Sequence, residues 1–331
     1  MIWAYLMHLS TNQWGDRPPA PGATPNPSQD YMAEVVFDEA VWRQVTERLA
    51  AAGVTMIVLD LGDSVRYDSH PEIALPGAWS PKKLAEESRR LGDIGLELIP
   101  KLNFSARHDA WLGKYGRMLA TDIYREVCTD LITEVCEILD TPRFFHLGMD
   151  EEGYELQKRL AFAAVRQGDL WWEDLGVLTT AVEAAGVRPW VWADAAWHHP
   201  DEYYVQMPKS VLQSNWHYGL AFPDDNSVRP RVLKPGTEAH LAYLDLDEHG
   251  YDQIPGSGFY LGTWDSFPLT VRYCLERLNQ ERLLGFLQSP WAMTIPSRLE
   301  DHLLHASIME RGITAVARGE LPDPSWVEAH R

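Results

Sequence analysis

The chain has 331 residues and a formal charge of −19, from 48 acidic and 29 basic side chains. This acidity makes nucleic acid and anionic membrane surfaces unfavourable partners. No stretch approaches the roughly 20 apolar residues of a membrane-spanning helix, and the N-terminus lacks the basic and apolar regions of a secretory signal. We therefore expect a globular, cytoplasmic protein that binds neither membranes nor nucleic acid.

A helical pattern that ends in glycine and is followed directly by a short apolar run recurs along the chain. It occurs at Gly53, Gly95 and Gly186, where it indicates a helix end followed by a buried strand. Ser80 before Pro81, and Thr121, predict the starts of two helices. The predicted strands, in chain order, are 3–8, 54–60, 96–103, 143–148, 187–194, 211–216, 251–255 and 283–288.

Eight predicted strands, mostly separated by helical patterns, predict an α/β protein with a (β/α)8 TIM-barrel fold. No break in composition divides the chain, so we expect a single domain over residues 1–331. The proline-rich segment 17–28 follows the first strand, where a barrel carries a functional rim or lid. Tyr243 and Asp245 could end a strand, but the pattern over 237–250 again ends in glycine and predicts a helix. The three cysteines are expected to be buried free thiols: Cys128, Cys136 and Cys274.

Functional side chains of such a barrel lie at the carboxyl ends of its strands. Carboxylates and indole rings are frequent at these positions, and the chain has 14 tryptophans. Aromatic rings suit a carbohydrate because a pyranose presents apolar C–H faces to them. The polar and aromatic candidates at the predicted strand ends are His8, Asn12, Trp14, Asp60, Asp63, Asn103, His108, Trp111, His146, Asp150, Glu151, Trp192, Asp194, Asn215, Trp216, His217, Ser257, Trp264, Asp265, Gln288 and Trp291.

The acidic run from Asp150 to Glu152 allows two interpretations. Carboxylates in the first turn of a helix are stabilised by the helix dipole. Alternatively, Asp150 and Glu151 are a catalytic pair, in which repulsion between neighbouring carboxylates raises the pKa of one so that it can donate a proton. Position alone does not choose between them.

The segment His146-Leu-Gly-Met-Asp-Glu151 resembles the His-x-Gly-Gly-Asp-Glu signature of glycoside hydrolase family 20, the β-N-acetylhexosaminidases. Met149 replaces the second glycine, strand one lacks the family's sugar-binding arginine, and Ala292 and Met293 follow Trp291 where the family has Trp-x-Glu. These departures indicate a divergent member. Further segments that resemble the family, in the same order, are 59–63, 70–73, 77–80, 98–108, 191–194, 212–216 and 285–291.

The resemblance implies retaining, substrate-assisted hydrolysis of a β-linked N-acetylhexosamine without a cofactor or metal. Asp150 would orient the acetamido group, and Glu151 would act as acid and then base. The residues that it implies at or beneath the sugar are Asp63, His108, His146, Trp192, Asp194, Trp216, Trp264 and Trp291. Tyr218 and Tyr260 are positional candidates for a tyrosine that steadies the acetamido oxygen. A carbohydrate is the expected partner, and a homodimer is left open.

Two other classes of protein remain open. One is a catalytically silent sugar-binding barrel. The other is a metal-dependent barrel hydrolase or isomerase, although the strand ends carry no His-x-His pair. The ligands considered for that metal are His8, Asp60, His146, Asp194, His198 and His199.

Overall fold

The computed structural model describes residues 1–158, 160–219, 222, 232–234, 237–259 and 263–329. Strands and helices alternate along most of this length. The strands are β1 Ile2–His8, β2 Met56–Asp60, β3 Glu97–Lys101, β4 Phe144–His146, β5 Arg188–Trp192, β6 Leu212–Ser214, β7 Gly256–Gly258 and β8 Gly285–Ser289. The helices are α1 Glu39–Ala51, α2 Pro81–Asp93, α3 Asp122–Ile138, α4 Tyr154–Gln157, α5 Asp169–Ala184, α6 Ala195–His198, α7 Pro200–Gln206, α8 Leu241–Glu248, α9 Ser266–Arg277, α10 Leu299–Ala317 and α11 Ser325–Ala329.

The eight strands form one parallel sheet in the order β6-β5-β4-β3-β2-β1-β8-β7. Its two ends meet through isolated bridges, because Gln213 pairs with Gln253 and Trp216 pairs with Gly256. The Gly256 N–H donates to the carbonyl oxygen of Asn215 at 2.7 Å. The sheet therefore closes on itself, and the predicted (β/α)8 barrel is confirmed.

The local signals in the sequence account for most element boundaries. The Ser80 and Thr121 side chains cap α2 and α3 by accepting backbone N–H groups, as predicted. The predicted helix around Tyr243 is also confirmed, as α8. The predicted seventh strand, 251–255, was wrong in its bounds because Pro255 has no amide hydrogen and interrupts the ladder. Gln253 forms only isolated bridges, and the continuous strand begins at Gly256 instead.

Side chains inside the barrel alternate with side chains that pack under the helices. Ala4 and Leu6 of β1 belong to the interior cluster, whereas Tyr5 and Met7 belong to the outer core. This alternation continues to the strand ends. There, four polar residues are cross-strand neighbours at one level of the barrel: His8, Asp60, Lys101 and His146.

The structure also bears on the cysteines and on the possibility of a membrane-spanning helix. The three cysteines are buried and free, as predicted. Within the described ranges, none of the helices combines the length and apolar character needed to cross a bilayer.

Candidate active site

A buried ionic group lies at the carboxyl ends of the first three strands. His8 Nδ1 lies 2.9 Å from one oxygen of Asp60, and the Lys101 ammonium donates to the other at 2.5 Å. Burial favours the neutral acid, but the charge of Lys101 and the contact with His8 outweigh it and hold the pKa of Asp60 well below its usual range. The Asp60 carboxylate therefore lies between two basic side chains, His8 and Lys101, beneath the site.

His146 continues this level on β4 and supports the turn that follows. Its Nδ1 accepts the N–H of Gly148 at 3.0 Å, and its ring lies 4.9 and 4.8 Å from the ring centres of Trp190 and Trp192. Burial, together with the charge of Lys101, holds its pKa well below the usual range. His146 is therefore a neutral support that fixes the start of the turn.

The backbone after β4 turns sharply, which brings two adjacent acidic residues to one side. Gly148, Met149 and Glu151 have φ angles of +73°, +73° and +57°. A β-carbon on Gly148 would lie 1.9 Å from Asn103 Oδ1, so glycine is required there. Left-handed backbone at non-glycine residues costs about 1–3 kcal/mol each and concentrates at functional sites. This turn lets Asp150 and Glu151 face one cavity, which regular strand alternation would prevent.

Asp150 is buried and held by neighbours from the β3 side. Asn103 Nδ2 donates to its Oδ1 at 2.9 Å, and the Ser105 hydroxyl donates to its carbonyl oxygen. His108 Nδ1 lies 3.2 Å from its Oδ2. Burial raises the pKa of Asp150, but the charge and hydrogen bond of His108, the charge of Lys101 and the hydrogen bond from Asn103 outweigh burial and lower it to about 2. Asp150 is therefore ionised at neutral pH.

The imidazole of His108 bridges the two carboxylates. Its Nε2 lies 3.3 Å from Glu151 Oε2, so each ring nitrogen faces a different acid. Burial lowers the pKa of His108, but Asp150 and Glu151 outweigh burial and raise it to about 9. A cation therefore lies between Asp150 and Glu151, and it offsets the repulsion expected from their adjacency.

A third carboxyl group, Asp194, completes the charged cluster. Its Oδ2 accepts the N–H of Glu151 at 2.8 Å. Burial, and then the charge of Asp150, raise its pKa to about 8. The rise in pKa expected from repulsion within the acidic pair is therefore not found at Asp150. Its pKa falls because His108 is nearer, and the raised pKa belongs to Asp194.

A cavity of about 1060 Å³ opens in front of these acids. The indole N–H of the buried Trp192 has no hydrogen-bond partner among the described residues, so it is available to an oxygen of a bound molecule. The residues predicted from the sequence that line the cavity are His108, Asp150, Glu151, Trp192, Trp216 and Trp291.

The other four predicted residues lie beside or beneath the cavity lining. Asp63 accepts hydrogen bonds from Ser10 at 2.7 Å and Asn12 at 2.8 Å, and burial raises its pKa to about 6. His146 and Asp194 support the turn, as described above. Trp264 is not among the residues that line the cavity, and its ring packs against that of Phe259, with 4.0 Å between the ring centres. Tyr260 lies outside the described residues.

Several lining residues were not assigned to the site from the sequence, although some had been noted near strand ends. Trp14, from the loop after β1, has its ring 6.2 Å from His108 and 6.3 Å from Trp291. Tyr218, by contrast, was a positional candidate from the sequence, and it lines the cavity. Its ring stacks on Trp216 at 5.0 Å, and burial, with the charges of nearby acids, raises its pKa well above the usual value. Arg107 and Phe259 also line the cavity. Their common signal is a position in a loop after a strand, which many other residues share.

One group in the described ranges has the composition of a metal site: His108, Asp150 and Glu151, whose ligand atoms lie within 4.8 Å of one another. Its geometry favours an ion-paired histidine, because the two ring nitrogens face separate carboxylates. A histidine ligand would instead direct one nitrogen to the metal. The ligand set considered from the sequence does not form a metal site in this part of the chain.

Solved structures that share this fold include several enzymes of glycoside hydrolase family 20. The Flavobacterium johnsoniae chitobiase superposes with a TM-score of 0.61 at 16% identity, over 88% of this chain and 50% of that one. The Bacteroides fragilis β-N-acetylhexosaminidase gives 0.59 at 14%, over 92% and 65%. The Vibrio harveyi exo-β-N-acetylglucosaminidase, in complex with N-acetylglucosamine, gives 0.60 at 12%, over 92% and 54%.

These likenesses confirm, at the level of the fold, the resemblance to family 20 that the sequence indicates. The chain spans between half and two thirds of the length of these three solved proteins. No protein-family model matches the chain, and no curated protein sequence does. The comparisons therefore show that the chain shares its barrel fold with these enzymes.

Proposed function

We propose that this protein is a glycoside hydrolase that removes a β-linked N-acetylhexosamine with retention of configuration. The observation that carries the proposal is the turn after β4, which aims Asp150 and Glu151 into one aromatic cavity. The barrel it shares with family 20 enzymes supports the same reaction. The carbohydrate would stack on the indole rings that line the cavity.

Asp150 would orient the acetamido group of the substrate. Asn103 and His108 fix its carboxylate, and its low pKa keeps it charged. A charged carboxylate accepts the acetamido N–H, which increases the negative charge on the acetamido oxygen. That oxygen attacks the anomeric carbon while the bond from this carbon to the leaving oxygen breaks.

Glu151 would donate a proton to the leaving oxygen and later remove one from water. Its side chain is about 36% exposed, so water reaches it. In the second step, water adds to the anomeric carbon as the bond to the acetamido oxygen breaks. The same carboxyl group thus serves as acid and base, as microscopic reversibility requires.

Inhibition by a thiazoline mimic of the bicyclic intermediate tests the substrate-assisted step. Such a compound resembles the reaction's high-energy state and should bind far more tightly than the parent sugar. We expect competitive inhibition that Asp150→Ala weakens strongly. Hydrolysis that is insensitive to the thiazoline would contradict the acetamido oxygen as nucleophile.

The group formed by His108, Asp150 and Glu151 has the composition of a metal site, so a metal-dependent hydrolase is the second candidate. Dialysis against a chelator separates the two proposals. A substrate-assisted enzyme keeps its activity, whereas a metal enzyme loses it and regains it on addition of a divalent cation.

Several further features stay predictions. These are a single domain over residues 1–331, a cytoplasmic location, the exclusion of nucleic acid, and a homodimer as an open possibility.

A further inference from the structure

Asp194 lies immediately behind the turn that carries the proposed acid. It follows β5, is 4% exposed, and is not among the residues that line the cavity. One of its oxygens accepts the N–H of Glu151 at 2.8 Å. The other, Oδ1, has no hydrogen-bond partner in the described part of the chain. Asp194 therefore touches the backbone of the acid rather than the space where a substrate would bind.

The backbone that Asp194 contacts is strained. Glu151 has a φ of +57°, and such a conformation persists only where the surroundings hold it. Resting on the proposed function, we propose that Asp194 is a positioning residue that holds the Glu151 backbone so that its carboxyl group points at the scissile bond. A misplacement of about 1 Å at a reacting group can reduce the rate about 100-fold.

Four titratable groups of the described chain interact electrostatically with Asp194. They are Asp150 and Glu151 on the turn after β4, Tyr203 on α7, and Tyr218 after β6. Burial, and then the charge of Asp150, raise the pKa of Asp194 to about 8. At pH 7 the group is thus a neutral carboxyl, which accepts the Glu151 N–H without adding a negative charge beside Asp150. Asparagine has nearly the same shape and also accepts an N–H, so it imitates this form.

Two substitutions of Asp194 test whether its hydrogen bond to Glu151 supports catalysis. In Asp194→Ala we expect kcat to fall about 100-fold while KM changes less than about twofold, because substrate contacts remain. In Asp194→Asn we expect kcat at pH 6 to return to within about fivefold of wild type. Asp169→Asn, on an exposed first turn of α5, is the control and should not change kcat. Wild-type kcat in Asp194→Ala, or an equal loss in both variants, would overturn the proposal.

Crystal structures of the wild type and Asp194→Ala test positioning without turnover. We expect a positive φ at Glu151 in the wild type and a relaxed turn with a displaced carboxylate in the variant. An unmoved Glu151 would overturn the proposal whether or not a glycoside is hydrolysed. If only the proposed function is wrong, Glu151 should still be displaced in Asp194→Ala, although the wild type cleaves no glycoside.

The pH dependence of unfolding tests the neutral form of Asp194. Its pKa is raised from 3.8 to about 8 on folding. The folded protein therefore keeps a proton that the unfolded chain loses, and this contribution to stability declines as pH rises from about 4 to 8. Asp194→Asn lacks the decline, so its stability relative to wild type should increase across that window. A difference in unfolding free energy between Asp194→Asn and wild type that does not vary with pH would show that Asp194 is not a neutral carboxyl.

Discussion

His108 Nδ1 lies 3.2 Å from Asp150 Oδ2, in a site where both side chains are buried. This ion pair links the protonation of His108 to the stability of the fold. Its pKa is raised from 6.5 to about 9, so the stabilisation is complete below pH 6.5 and is lost as pH rises through 9.

His108→Gln should therefore destabilise the protein most at low pH within this window. At pH 6 we expect a loss on the order of 3 kcal/mol in the free energy of unfolding, since one pKa unit is about 1.4 kcal/mol. The loss should shrink as pH approaches 9.5. Urea unfolding at several pH values measures it, with exposed His199→Gln as the control. A difference that does not vary with pH would contradict the ion pair.

Gly148→Ala should disrupt the turn after β4. The added β-carbon meets Asn103 at 1.9 Å and sits on backbone with a φ of +73°. We expect a loss of about 2 kcal/mol or more in unfolding free energy, and a clear loss of activity as Asn103 moves away from Asp150. Gly153→Ala is the matched control, because nothing lies within 4 Å of its β-carbon and its φ is −156°. Equal stability of the two variants would show that the turn tolerates a side chain.

Glu151→Gln should abolish proton donation and leave binding in place. We expect kcat to fall about 1000-fold, while the dissociation constant of a thiazoline inhibitor changes little. Activity assays and calorimetry measure the two quantities. Glu155→Gln, whose side chain is 77% exposed, serves as the control. Full activity in Glu151→Gln would assign the acid to another residue.

Tyr218→Phe tests whether this hydroxyl supports the acetamido oxygen. Tyr218 lines the cavity, and its pKa responds to Asp150, Glu151 and Asp194. Loss of one donor to a developing charge typically reduces kcat about 100-fold, and we expect a fall toward that size for acetamido sugars. Tyr154→Phe, at a residue that is 58% exposed, should have no effect. An unchanged kcat in Tyr218→Phe would show that the Tyr218 hydroxyl does not support the acetamido oxygen.

The barrel and the acidic pair could be predicted from the sequence because both depend on local signals. Glycine after each helix, caps such as Ser80, and apolar runs identify the repeating unit. Strand ends then gather on one face by topology alone. The position of Trp192 and Trp216 at the cavity could therefore be predicted without information on long-range contacts.

The electrostatics of the site could not be predicted, because they depend on burial and on neighbours distant in sequence. Lys101 is fully buried on β3 and forms an ion pair with Asp60 on the neighbouring strand β2. No local sequence pattern indicates this pairing. The pKa of Asp194 rises because the chain is folded around it, and His108 lowers that of Asp150 from another loop.

The most direct test of the proposed activity is the release of nitrophenol from a panel of nitrophenyl β-glycosides. The panel pairs the N-acetylglucosaminide and N-acetylgalactosaminide with the glucoside and galactoside. If Asp150 orients an acetamido nucleophile, the acetamido sugars alone should be hydrolysed, and Glu151→Gln should remove that activity. Hydrolysis of only the sugars that lack the acetamido group would contradict the proposal.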